Sequence, residues 1–339
     1  MADSTRGRFE LRRAIDRRAF LRGALAAGAG GAAFYALSCG GGSSKPGTPT
    51  AAPVATPSMG GATPATGGIT PSMLTSEFVA GQNNRFAVGL VNAQRKLVKD
   101  AKVHLSFYTV GADGTTGTLR GEGDATFVEL NVAGAHTHDT SPQNDVPDDS
   151  VAFYTANTPF DVAGRWAVKI NVTPNDGSAP TTIDAPFDVL AASRTPAPGS
   201  DAPASRNDTT ATNPNPASLC SRVPACPLHD KVIGDLVGKG RPLVVQFSTP
   251  AFCQTRFCGP VLEVLLNQAP KYQDRIDFVH IEVWQDFQLQ QYRPAMREWN
   301  LATEPWTFFV GSDGKVKGKL ESIFSDEELT SALDQLVKL

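Results

Sequence analysis

The chain is poor in cysteine, in histidine and in charge. Five cysteines among 339 residues exclude a disulfide-dense miniprotein, and charged residues at 19% fall below the ~25% of an average globular chain. A net charge of −3 argues against a nucleic-acid binder, which carries a basic excess. The weakly apolar run Gly23 to Cys39 is 17 residues long and rich in alanine and glycine, short of the ~20 mainly apolar residues of a transmembrane helix. The composition fits neither a collagen-like repeat, nor a coiled coil, nor a wholly disordered chain. What is present is 41% apolar residues, enough to build cores, and a length that predicts two domains. The 31 glycines and 25 prolines exceed average usage and predict linkers. An odd number of cysteines predicts pairs plus one thiol with a separate fate.

The N-terminus supplies that fate. Met1 to Ser38 holds seven arginines against Asp3, Glu10 and Asp16, and Asp16 to Arg22 reads DRRAFLR ahead of the Ala/Gly-rich run. This resembles a twin-arginine export signal, with Asp16 and Arg22 replacing the Ser/Thr and Lys of the pattern. Ala36-Leu37-Ser38-Cys39, followed by three glycines, resembles a lipoprotein processing box, with alanine where that pattern prefers leucine. The resemblance implies residues 1–39 as an export signal, lipidation of Cys39, and a chain anchored to the membrane on its extracytoplasmic face. An ordinary signal cleaved nearby is the alternative.

Two stretches of Pro, Gly, Ser, Thr and Ala then divide the chain. Residues 40–69 contain one charge, Lys45, and 191–216 have a similar character, so both predict disordered tethers with too little apolar surface to offset ordering entropy. The segments they bound are 70–190 and 217–339, each of ordinary domain size.

Residues 70–190 alternate with the period of strands, as in Arg85 to Val91, Val103 to Tyr108, Ala125 to Leu130, Val151 to Tyr154, Arg165 to Ile170 and Ile183 to Leu190. No long helical pattern interrupts them, which predicts an all-β sandwich. The run FDVAGRWAVKINV, Phe160 to Val172, resembles the late strands of YtkA-like, immunoglobulin-like envelope domains, in which the tryptophan plugs the core. His136 and His138, two apart in an acidic loop, are weak candidates for a metal site, because alternate residues of an extended chain project to one side. A solvated loop is the plainer reading.

The order in 217–339 is β-α-β-α-β-β-α: strands at Pro242 to Phe247, Ile276 to Val283, Thr307 to Val310 and up to Ile323, with helices at Val261 to Tyr272, Leu289 to Trp299 and Asp326 to Leu339. Ser325 before three acids is a good N-cap. Phe247 to Cys253 (FSTPAFC), Cys258-Gly259-Pro260 and Glu304-Pro305-Trp306-Thr307 lie where the thioredoxin family carries its site, and the segment resembles a thioredoxin-like α/β domain. The expected architecture is therefore multidomain: an all-β sandwich followed by an α/β thioredoxin-like domain, joined by disordered linkers.

The resemblance implies a reversible dithiol/disulfide at Cys253 and Cys258, and a cis bond before Pro305 in a substrate groove. Two departures from the family are visible. The cysteines form C-x4-C instead of C-x2-C, which leaves open which of the two is the nucleophile, and Glu304 stands where an apolar residue or threonine is usual. A carboxylate there would oppose a nearby thiolate. Cys220 and Cys226, in SLCSRVPACPLHD, predict a structural disulfide; an electron relay to Cys253/Cys258 and a Cys220/Cys226/His229 metal site are the other readings.

The function implied is that of an extracytoplasmic, membrane-anchored thiol-disulfide oxidoreductase. Its partners would be thiol- or disulfide-bearing envelope proteins, with no cofactor and no nucleic acid. The alternatives are a Sco-like copper-delivery protein, whose histidine ligand after the cysteine pair has no counterpart beyond His280, and a non-catalytic thioredoxin-fold binding protein of the envelope.

Overall fold

The computed structural model of the chain describes residues 68–131, 150–253 and 257–339. The export signal and Cys39, nearly all of the first tether, and His136 and His138 lie outside them. No described helix is long and apolar enough to cross a membrane.

The strand-period segment forms eight strands: β1 (Thr70–Met73), β2 (Phe78–Val79), β3 (Gln82–Val91), β4 (Lys102–Val110), β5 (Thr116–Asn131), β6 (Ser150–Phe160), β7 (Gly164–Thr173) and β8 (Thr181–Leu190). They make one curled sheet in the order β1-β3-β6-β5-β4-β7-β8-β2. The two halves of the expected sandwich are joined through β5, which pairs with β4 over residues 116–125 and with β6 over 126–131. A strand shared in this way turns the corner between layers. Burial alternates strictly along β8, so one face enters the core and the other meets solvent. Trp166 is buried in that core, edge-on to Phe160 at 4.9 Å, and its indole N–H donates to the Val162 carbonyl at 3.1 Å.

The second segment begins with two single-turn helices, α1 (Pro216–Leu219) and α2 (Ile233–Leu236). It continues β9 (Leu243–Ser248), α3 (Cys258–Tyr272), β10 (Asp277–Glu282), β11 (Trp284–Asp286), β12 (Gln291–Tyr292), α4 (Pro294–Glu298), β13 (Trp306–Val310), β14 (Val316–Glu321) and α5 (Asp326–Val337). Four strands form a mixed sheet in the order β10-β9-β13-β14. β9 and β10 are parallel with α3 as their crossover, while β13 runs antiparallel to both β9 and β14. Both faces are covered, which explains why β9 and β10 are buried at every residue. Val244, Phe278 and Phe309 pack with α3 and α5, whereas Val245, Phe247, Val279 and Phe308 pack with α2, α4 and Trp299.

Two expectations need correction. The helix expected over Leu289 to Trp299 is only α4, preceded by the β11/β12 hairpin. Pro294 can open a helix but not continue one, and it holds Arg293 extended; Gln290, at φ 53°, breaks the chain further upstream. Residues 191–216 are not a disordered tether. Thr195, Ala202, Ser205 and Thr209 are buried. The Gly199 amide donates to the Val316 carbonyl, the Val316 amide to the Ser200 carbonyl, and the Ala202 amide to the Gly314 carbonyl. Small residues let this strap lie close enough to β14 for its backbone to bond there.

The two folded segments share a hydrophobic cluster in which Leu74, Ala87 and Phe153 meet Phe324, Leu329 and Leu333. Around it, Arg85 makes a two-pronged pair with Glu328 at 2.5 and 3.0 Å and donates to the Ile323 carbonyl. Lys319 pairs with Glu77 at 2.5 Å and also donates to Ser193 and Thr195 of the strap.

Candidate functional site

β9 carries the chain out of the sheet at Ser248 into the loop that holds Cys253, and α3 begins at Cys258. The N-cap of α3 is Phe257, which provides no side-chain cap. A first-turn amide therefore needs another acceptor, and the Cys258 N–H donates to the Cys253 sulfur at 3.3 Å. That sulfur sits at the positive end of a four-turn helix, a place that favours negative charge. Cys253 is partly exposed, whereas Cys258 is fully buried. Burial pushes the Cys258 thiol well above its ordinary value, its hydrogen bond to Cys253 adds to that, and Glu304 contributes as a nearby negative charge.

The Glu304–Pro305 bond is cis. Trp306 pairs with Phe247 across β13 and β9, so Pro305 lies level with the exit of β9, at the entrance to the cysteine loop. Glu304 itself is buried. Next to Cys253, Phe252 is 42% exposed and stacks on the half-exposed Phe287 with ring centres 4.6 Å apart. The structure thus gathers Cys253, Cys258, Glu304 and Pro305 from two separate stretches of sequence.

The expected disulfide between Cys220 and Cys226 is not formed: both are thiols in this structure. Cys220 and Cys226, the first pair in chain order, are both buried, and both face histidines. The Cys226 sulfur is 3.2 Å from His229 Nε2 and 3.3 Å from His280 Nδ1, and the Cys220 sulfur is 3.8 Å from the same His280 nitrogen. The Cys226 thiol, then the two imidazoles, pull Cys220 far below the ordinary thiol range against the opposing effect of burial. Burial lowers His229. It opposes charge on His280 too, but there Cys220 and Glu282 outweigh it and the net shift is upward.

His280 was missed as a partner of these cysteines, although a histidine inside the apolar run IDFVHIEV is a visible anomaly. Register explains its role. His280 pairs with Gln246, and Phe278, two residues earlier, faces α3, so alternation directs His280 to the α3 side of the sheet. There Cys220 and Cys226 pack against Leu262, one turn along the helix from Cys258. The loop of the first pair is also latched to the loop of the second, since Ser221 Oγ accepts from the Ala251 amide at 3.0 Å.

Searches against protein-family models and against curated proteins returned no match. The chemistry of this chain therefore rests on its own residues.

Proposed function

We propose that the 217–339 segment is a thioredoxin-like domain performing thiol-disulfide exchange on proteins outside the cytoplasm, with Cys253 as nucleophile and Cys258 as resolving thiol. The observation that carries the reading is the partly exposed Cys253 sulfur receiving the first amide of α3 while Cys258 stays buried behind it. The Cys253 thiolate attacks one sulfur of a partner disulfide, forming a mixed disulfide and releasing the partner's other sulfur as a thiolate. Cys258 then attacks the Cys253 sulfur and its proton passes to the departing sulfur. The partner leaves as a dithiol and the chain keeps a Cys253–Cys258 disulfide: two electrons have moved to the partner. Run backwards, the same steps oxidise a partner dithiol. A separate dithiol or disulfide protein resets the pair.

Pro305 and Glu304 border the groove in which the partner chain would lie, and the Phe252/Phe287 stack offers apolar contact beside the reactive sulfur. The N-terminal signal and Cys39 would hold the protein at the membrane, and the 70–190 segment, taken as a YtkA-like sandwich, would be its companion domain.

Thiol trapping decides the reading. Cys258→Ser should accumulate mixed disulfides with a disulfide-bearing client protein, and Cys253→Ser should accumulate none. The proposal fails if neither variant traps a partner, or if the pair of the unmodified protein stays oxidised in redox buffers poised as low as about −300 mV.

A further inference from the structure

We propose that Cys220, Cys226, His229 and His280 form a tetrahedral zinc site, separate from the exchanging thiols. Their four ligand atoms lie within 4.8 Å of one another and all four residues are buried. A tetrahedral zinc ion with bonds of ~2.3 Å to sulfur and ~2.05 Å to nitrogen sets its ligands about 3.3 Å apart for two nitrogens, 3.6 Å for nitrogen and sulfur, and 3.8 Å for two sulfurs. Here the two nitrogens are 3.1 Å apart, three of the four sulfur–nitrogen separations are 3.2, 3.3 and 3.8 Å, and no pair exceeds 4.8 Å. The donors already stand near the corners of such a shell. Two thiolates and two imidazoles are the donor set and geometry that suit zinc.

The surroundings orient the donors. His280 Nε2 lies 3.1 Å from the Ser248 carbonyl, which can only accept, and 2.9 Å from the Ser248 hydroxyl, which can accept too, so a ring proton on Nε2 suits both oxygens and turns the Nδ1 lone pair to the sulfurs. Glu282 places a carboxylate near both imidazoles, and its Oε1 is buried with no hydrogen-bond partner. Its Oε2 accepts from the Ser221 amide at 2.8 Å, which holds the carboxylate beside the cluster. A cavity of about 250 Å³, lined among others by His229, His280, Glu282 and Arg293, reaches the imidazoles and provides a route of entry.

Zinc here would tie the 220–229 loop to β10 beneath α3. Cys253, on the other side of the Ser221 latch, does not belong to the donor set.

The test uses the full chain, reduced and stripped of metal, titrated with cobalt(II) as a spectroscopic stand-in. One equivalent per chain should give tetrahedral ligand-field bands with thiolate charge-transfer absorption, and one equivalent of zinc should erase them. Cys226→Ser and His280→Gln should weaken binding on the order of 100-fold or more, whereas Cys253→Ser and Cys258→Ser should leave it unchanged. Should the ligand variants not fold, the unmodified chain still decides: zinc should raise its melting temperature, and a chelator should reverse the rise. The proposal is overturned if the reduced chain binds no cobalt, if the Cys226→Ser variant binds as the parent does, if copper(I) is taken up and zinc is not, or if Cys220 and Cys226 return as a disulfide whenever the metal-free protein is reoxidised and zinc fails to prevent it.

Discussion

Glu304 stands close enough to Cys258 for its charge to hinder deprotonation of that thiol. Removing the charge while keeping the shape isolates the effect. Glu304→Gln should lower the pH at which Cys258 ionises, read by ultraviolet thiolate absorbance in a Cys253→Ala background, and should speed resolution of a mixed disulfide in the otherwise unmodified protein. An unchanged titration would mean that burial alone sets the Cys258 thiol. At this scale Cys253, Cys258, Glu304 and Pro305 are visible in the sequence through the motifs that resemble thioredoxins, not through spacing, which departs from that family. The role of His280 is not, because it depends on strand register, which brings it opposite Gln246 and toward a loop more than fifty residues earlier in the chain.

Among the elements, α5 shows how a local signal becomes a structural joint. Ser325 accepts from the Glu328 amide while the Glu328 side chain accepts from the Ser325 amide, a reciprocal capping box. The same Glu328 carboxylate receives Arg85 from the β-sheet segment. Ser325→Ala should cost about 1 kcal/mol of stability, seen as a lower urea midpoint at constant slope. Both helix starts, at Ser325 and at Cys258, could be read from neighbouring residues. The stretch from 289 to 299 could not, because its apolar spacing suits a helix while Gln290 and Pro294 permit only the last turn and a half. Composition misled over 191–216 for a different reason. It counts apolar side chains, and this strap is held by backbone amides and small hydroxyls.

The two described segments are held together by a partly buried ion pair beside a shared core. Lys319 is 15% and Glu77 6% exposed in their side chains, so neither can readily exchange its partner for water. Burial disfavours the Glu77 carboxylate, but Lys319, Ser193 and the Arg194 amide outweigh it and hold Glu77 below its ordinary 4.5. A depressed carboxyl adds stability that is complete above pH 4.5 and is lost as the pH falls through its folded value. Glu321 beside it is pushed up by burial and has the opposite sign, adding most in acid and less as the pH rises. Lys319→Ala should therefore cost about 1–2 kcal/mol at neutral pH, between the values for exposed and fully buried pairs, and the gap from the parent should narrow as acid protonates Glu77. Denaturant unfolding at several pH values checks this; a gap that stays constant into acid would rule out the ion pair as its source. The division into an all-β and an α/β part was legible from periodicity alone, but their mutual contact was not, since its charges come from residues some 240 positions apart.

The shared cluster also sets how the chain can be taken apart. Leu74, Ala87 and Phe153 on one side, and Phe324, Leu329 and Leu333 on the other, are covered only while both are present. Either half expressed by itself would turn that face to water and tend to self-associate. A protease cut within the 191–216 strap would leave two fragments that stay together until denaturant separates them.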